Sequence, residues 1–177
     1  MKFLFDLGGV FFDWDPNYFF KDIFEKDDER KYFLTEVCND EWNIQQDAGR
    51  TIKEAESVLI PKFPQYEEEI KMYYSNHRRM IKGTFTSSIK VLDKLKKQNY
   101  ECYVLSNWSA ETFVGMTDDY PFLQLFDGLL ISGEDKLMKP DAAIYELAIS
   151  RFNLIAQESI FIDDKLENIE AAKKLNK

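Results

Sequence analysis

The stretch KFLFDLGGVFFDWDP, residues 2–16, decides the fold. Its apolar run Phe3–Phe5 has strand character and stops on a carboxylate, Asp6, after which Leu7 leads into a glycine pair, Gly8 and Gly9. Strands buried on both faces read as near-continuous apolar runs, as strands of parallel sheets do. In open parallel sheets ligands gather beyond the carboxyl ends of the strands. A strand ending on an acid therefore places that acid where ligands are handled, and glycines behind it let backbone amides approach a bound group without Cβ atoms in the way.

Working outward, three more runs have the same character: YECYVLS (100–106), GLLIS (128–132) and SIFIDD (159–164). Between them TSSIKVLDKLKKQ (86–98) and PDAAIYELAISRF (140–152) carry apolar residues at helical spacing, the second with proline in its first turn. Strand and helix in alternation predict a Rossmann-like, doubly wound parallel sheet of the α/β class. Residues 16–83 break the rhythm. They read as consecutive helices, NYFFKDIF, ERKYFLTEVC, TIKEAESVLI and YEEEIKMYYSNHRRMI, with no strand among them. The expected organisation is an α/β core of residues 1–15 and 84–177 with a small helical cap, 16–83, inserted after the first strand and returning near Gly83.

Composition removes several function classes. A net charge of −9, from 32 acidic against 23 basic residues, disfavours nucleic acid and anionic membranes as partners. The two cysteines, Cys38 and Cys102, form no C-x-x-C pair and read as buried thiols. The first apolar run is cut by Asp6, too early for a signal peptide, and no stretch reaches ~18 apolar residues. A cytoplasmic protein is expected.

Each strand is read at its last residues: Asp6, then Ser106 with Asn107, then Asp163 with Asp164, while the turn MKP sets Lys139 before a helix. Three carboxylates, a hydroxyl and a lysine at one rim suit Mg²⁺ and a phosphate, because hard oxygens ligate Mg²⁺ and a lysine neutralises phosphoryl oxygens. Taken in order, FDLGGV, LSNWS, MKPD and FIDD resemble motifs one to four of the haloacid dehalogenase-like hydrolase superfamily, over nearly the whole chain. Within it the sequence is similar to the subgroup with FDLGGV and DWDP, which includes sugar-1-phosphate phosphatases. The resemblance implies that Asp6 is the nucleophile and that Ser106 and Lys139 hold the phosphate. It further implies that Mg²⁺ is bound by Asp6, the Gly8 carbonyl, Asp163 and Asp164, with Asp164 the better direct ligand. Attack by Asp6 on phosphorus would give an aspartyl-phosphate that water later hydrolyses.

Gly8 departs from the family's commonest phosphatase pattern, which has a second Asp there as general acid. Three resolutions stand: a good leaving group such as an anomeric sugar or acyl phosphate, another acid such as Asp13 or Asp15, or no phosphatase turnover. The function expected is hydrolysis of a small phosphorylated metabolite. The alternatives are a metal-free 2-haloacid dehalogenase using Asp6 and a degenerate binding module. In EWNIQQDAGR (41–50) an aromatic, amides and an arginine suggest Trp42, Gln46 and Arg50 as sugar contacts beside Asn107 and Gly8. His77 reads as an ordinary exposed or interfacial histidine, and His77, Arg78 and Arg79 as a solvated helix face. Family cores usually carry a further strand after the last motif's helix; with 177 as the true end the strand ending in Asp163 is expected to become an edge, and truncation of a longer chain is the alternative.

Overall fold

The opening run forms β1 (Lys2–Phe5), which pairs in parallel with β4 (Glu101–Ser106) on one side and β6 (Ser159–Ile162) on the other. With β5 (Gly128–Ile131) beside β4, the order is β5-β4-β1-β6, and Phe5 lies opposite both Val104 and Ile162. The computed structural model describes residues 1–175. Among them β6 pairs only with β1.

Alternation along these strands feeds two apolar layers. Phe5, Cys102, Val104 and Ile131 turn to one face, against Leu92 of α6 (Thr86–Lys97). Leu4, Tyr103, Leu105 and Leu130 turn to the other, against Ile144, Tyr145 and Ala148 of α10 (Ala142–Arg151) and Ala171 of α11 (Leu166–Lys174). Each fully buried Leu or Phe in such a layer stabilises by about 1.5–3 kcal/mol. Short helices α7 (Ala110–Phe113), α8 (Met116–Asp119) and α9 (Ser132–Asp135) complete the turns beyond β4 and β5. Among the described residues no helix is long and apolar enough to cross a membrane.

The intervening segment holds α1 (Asn17–Phe20), α2 (Asp27–Tyr32), α3 (Asp40–Asp47), α4 (Ile52–Leu59) and α5 (Glu67–Ser75). Its apolar residues, from Phe19 to Met80, make a cluster of their own in which the rings of Phe20, Phe33, Trp42 and Tyr73 pack tilted or edge-on. Cys38 is buried there and Cys102 in the core, both as free thiols.

Two features differ from the sequence reading. The chain is extended on either side of the cap helices: β2 (Phe12–Trp14), within the expected core residues, and β3 (Ile81–Thr84) pair antiparallel, with a register shift at Asp13/Trp14, so the boundary expected at 83/84 falls inside β3. Three- and four-residue strands containing Asp13, Lys82 and Gly83 leave too little alternation to announce themselves. The second is α3, absent from the four helical runs, which is started by the Asn39 side chain accepting from the Trp42 N–H at 2.9 Å.

Candidate active site

The carboxyl ends of β1, β4 and β6 converge as the sheet geometry demands. Asp6 follows β1, its backbone N–H donating to the Ile162 carbonyl at 2.9 Å, and its side chain is buried. One carboxylate oxygen accepts from the Leu7 N–H at 2.7 Å and from Lys139 Nζ at 3.0 Å. Burial raises the Asp6 pKa, and Asp163 adds to the rise against the pull of Lys139.

Lys139 is itself buried, with Nζ 2.6 Å from Asp163 Oδ2. Its backbone is gripped by Asn107, whose Nδ2 donates to the Lys139 carbonyl and whose Oδ1 accepts from the Lys139 N–H, both at 2.9 Å. Asn107 borders the cleft, and one N–H and one lone pair of its amide are taken up in positioning Lys139.

Asp163 has further duties. Besides Lys139 it accepts from the Lys165 N–H at 2.8 Å and from Asn168 Nδ2 at 2.9 Å and 3.0 Å, and its side chain has no solvent exposure. Those bonds make it the anchor of the lysine. Asp164 is exposed and has no such partners among the described residues, and carboxylate oxygens of Asp6, Asp163 and Asp164 lie within 4.8 Å of one another. A cation there would meet Asp6 and Asp164, with the Gly8 carbonyl beside them on the cleft wall. Ser106 Oγ, buried next to Asp6, has no hydrogen-bond partner among the described residues. An orphaned buried hydroxyl at this spot suits a ligand oxygen.

The two glycines part company. Gly9 sits at φ +67°, and a Cβ there would stand 2.3 Å from Asp164 Oδ2, so glycine is required. Gly8 has no left-handed φ and open space where a Cβ would go, so nothing in the backbone forces glycine there.

The cleft in front of Asp6 holds about 380 Å³, and its cap wall is α3. Asp40, Asn43, Ile44 and Asp47 face it, spaced as one helical stripe. Trp42, Gln46 and Arg50 do not line it. Trp42 Nε1 donates to the Ala55 carbonyl, Gln46 to the Trp42 carbonyl and Tyr74 hydroxyl, and Arg50 to Gln46 and the Trp42 carbonyl. The residues chosen as sugar contacts thus hold the cap together: Trp42 and Gln46 lie on the opposite side of a helix the sequence reading had not drawn, and Arg50 follows that helix.

Asp13 borders the cleft and accepts from the Tyr18 hydroxyl at 2.8 Å. Asp15 is taken up by Asn17, whose backbone N–H and side chain both donate to it. His77 is neither solvated nor acidic: it sits between Trp14 and Trp108, and burial, aided by Arg78, pushes its pKa down to about 4. Arg78 ties cap to core through Asp119 at 2.9 Å and the Thr112 and Val114 carbonyls. A separate hollow of about 290 Å³ beneath α11 is lined by Leu4, Ile160 and Leu175, among others, and contributes no carboxylate.

Comparison with known proteins agrees with this arrangement. The chain is 28% identical over 169 residues to the sesquiterpene phosphatase astK of Aspergillus oryzae, covering 96% of this chain and 83% of that protein. It is 23% identical to the drimenol cyclase drtB of Aspergillus calidoustus, of which it spans 31%. Its fold superposes with a TM-score of 0.74 on bt-2542, a HAD family enzyme of Bacteroides thetaiotaomicron solved with magnesium and inorganic phosphate, at 23% identity, covering 99% of this chain and 90% of that one. The sequence profile of the haloacid dehalogenase-like hydrolases matches residues 4–177. On that match and this fold, the chain belongs to the haloacid dehalogenase-like hydrolase family.

Proposed function

We propose that the protein is a Mg²⁺-dependent phosphatase of a small phosphorylated metabolite, acting through an aspartyl-phosphate on Asp6. The observation that carries the reading is the charge at the strand ends: oxygens of three carboxylates within 4.8 Å, with Lys139 the one amine bonded to them among the described residues. Asp164 beside a buried nucleophile is an electrostatic liability without a cation and an asset with one. A bound Mg²⁺ would supply charge neutralisation for a phosphoryl group and hold Asp6 ionised. The residues fit it, since Asp6, Asp164 and the Gly8 carbonyl are hard oxygen donors.

The chain's own groups then divide the work. Asp6 Oδ attacks phosphorus in line. Lys139, held between two carboxylates, and the Ser106 hydroxyl, unpartnered among the described residues, receive phosphoryl oxygens. Asp163, Asn107 and Asn168 fix Lys139 and its partners in position. Likeness to astK, a sesquiterpene phosphatase, and to bt-2542 with its magnesium and phosphate supports phosphate chemistry. A sugar phosphate fits the aromatic and amide side chains lining the hollow behind the cleft. The metal-free dehalogenase reading fares worse because it leaves Asp164 beside Asp6 with nothing to neutralise it.

A screen of phosphorylated metabolites and 2-haloacids with and without Mg²⁺ tests the reading. Phosphate release that EDTA abolishes is expected; dehalogenation unaffected by EDTA overturns it.

A further inference from the structure

The space at the strand ends has two chambers. Behind the cleft, between α3 and α5 of the cap and residues 107–112 of the core, lies a hollow of about 100 Å³ walled by Trp14, Tyr74, His77 and Trp108. The chambers meet along Gly8, Trp14, Asn43, Asp47 and Asn107, which border both. A phosphate ester with its phosphorus before Asp6 and its leaving group in the aromatic hollow has its bridging oxygen at that junction. Of the five bordering residues only Asp47 has a proton to give: Gly8 has no side chain, and an indole and two amides are not acids.

We propose that Asp47, from the cap, is the general acid–base residue of this reaction. The inference rests on the phosphatase reading above. In the first step an Asp6 oxygen bonds to phosphorus as the bond from phosphorus to the bridging oxygen breaks, and the Asp47 proton passes to that oxygen, releasing a neutral alcohol. In the second, water attacks the phosphorus, its proton goes to the Asp47 carboxylate and the Asp6–phosphorus bond breaks. Inorganic phosphate leaves and both side chains return to their starting state.

Asp47 is held for such a role. Ser132 Oγ donates to its backbone carbonyl at 2.6 Å, and Gly49, at φ +95°, packs the following turn against Lys136 and Gly133. Burial pushes the Asp47 carboxyl up to about 7, with Asp6 adding to the rise and Lys165, the Ser109 N–H and Lys139 opposing it. Asp40, Asp164, His77 and Tyr74 are the other ionisable groups lining one chamber or the other beside it, with Asp13. The rivals are worse placed. Asp13 borders only the outer chamber, Asp15 borders neither, and His77 is unprotonated at neutral pH.

The test is steady-state kinetics with Mg²⁺ on phosphate esters running from dinitrophenyl to alkyl, for the parent, Asp47→Asn and Asp13→Asn. Loss of a general acid costs about 10²–10⁴-fold where the leaving oxygen needs its proton, so Asp47→Asn loses that much on alkyl phosphates and less than about tenfold on dinitrophenyl phosphate. A retained dinitrophenyl rate also shows that the variant folds with a working nucleophile. An equal loss across the series, or none, overturns the role of Asp47, as does a leaving-group-dependent loss in Asp13→Asn instead. A parent that hydrolyses no ester overturns the phosphatase reading and the acid with it, whereas a parent that turns over beside an unselective Asp47→Asn overturns the acid alone.

Discussion

Asp6 and Asp47 are both carboxylates raised by burial, both line the cleft, and substitution separates the duties proposed for them. Asp6→Asn keeps the volume and removes the proposed nucleophile, so turnover is expected to fall to background on every ester while circular dichroism is unchanged. Asp163→Asn leaves Lys139 with one charged partner in place of two, and a loss of about 10-fold or more in kcat/KM is expected as the amine loses its fixed position. The open space at Gly8 makes a further outcome checkable: Gly8→Asp in the Asp47→Asn background recovers alkyl phosphate turnover, measured as phosphate release, because a carboxyl can stand there without strain. Asp47 also leaves a mark on stability. Its folded pKa of about 7 lies above the value of about 3.9 for an unfolded aspartate, so the folded protein holds more protons between them and loses stability as pH rises through that window. Metal-free Asp47→Asn escapes that loss, and its gain in Tm over the parent grows from pH 4.5 to 7.5. At this scale the strand-end residues were legible, since an acid closing an apolar run is a local signal. The engagement of Asp163 and Asn107 was not, because hydrogen bonds across 24 and 32 residues of chain leave no local trace.

Strands β1, β4, β5 and β6 and helices α6 and α10 were readable because each is a single run of one periodicity between clear breaks. Helix α3 was not. Its apolar residues Trp42 and Ile44 are few, and only the Asn39 cap announces it. The cost was choosing Trp42 and Gln46, on the buried face, in place of Asn43 and Asp47, on the cleft face; a helical wheel drawn from Asn39 would have separated the two sets. The turn after α3 is where cap meets core. Gly49→Ala sets a Cβ 2.6 Å from Lys136 Cγ and 3.2 Å from the Gly133 carbonyl at a φ that L-residues resist, so docking of α3 is weakened. The expected readout is a larger loss in kcat/KM for alkyl phosphates than in the affinity for inorganic phosphate, measured as a competitive inhibitor. Arg78→Ala removes the Asp119, Thr112 and Val114 bonds on the other flank, and faster proteolysis between cap and core is the expected readout.

Over the whole molecule, acid exceeds base by the same imbalance that concentrates at the cleft, which Asp6, Asp13, Asp40, Asp47 and Asp164 line against Lys139 and Lys165. A cation bound there stabilises the fold by mass action, about 2.7 kcal/mol at a hundred times Kd, or roughly 5–10 °C in Tm for a chain of this size. Asp164→Ala should lose that shift, measured by calorimetry with and without Mg²⁺, while keeping the metal-free Tm. The same lining dictates an itinerary. A phosphate dianion approaching the bare cleft meets more carboxylates than the two lysines offset, so it is expected to arrive second, once a divalent ion has cancelled most of that excess. On the proposed Mg²⁺-dependent reading turnover is then ordered, with the ion as activator, and substrate offered to the bare protein waits in solution instead of forming a dead-end complex.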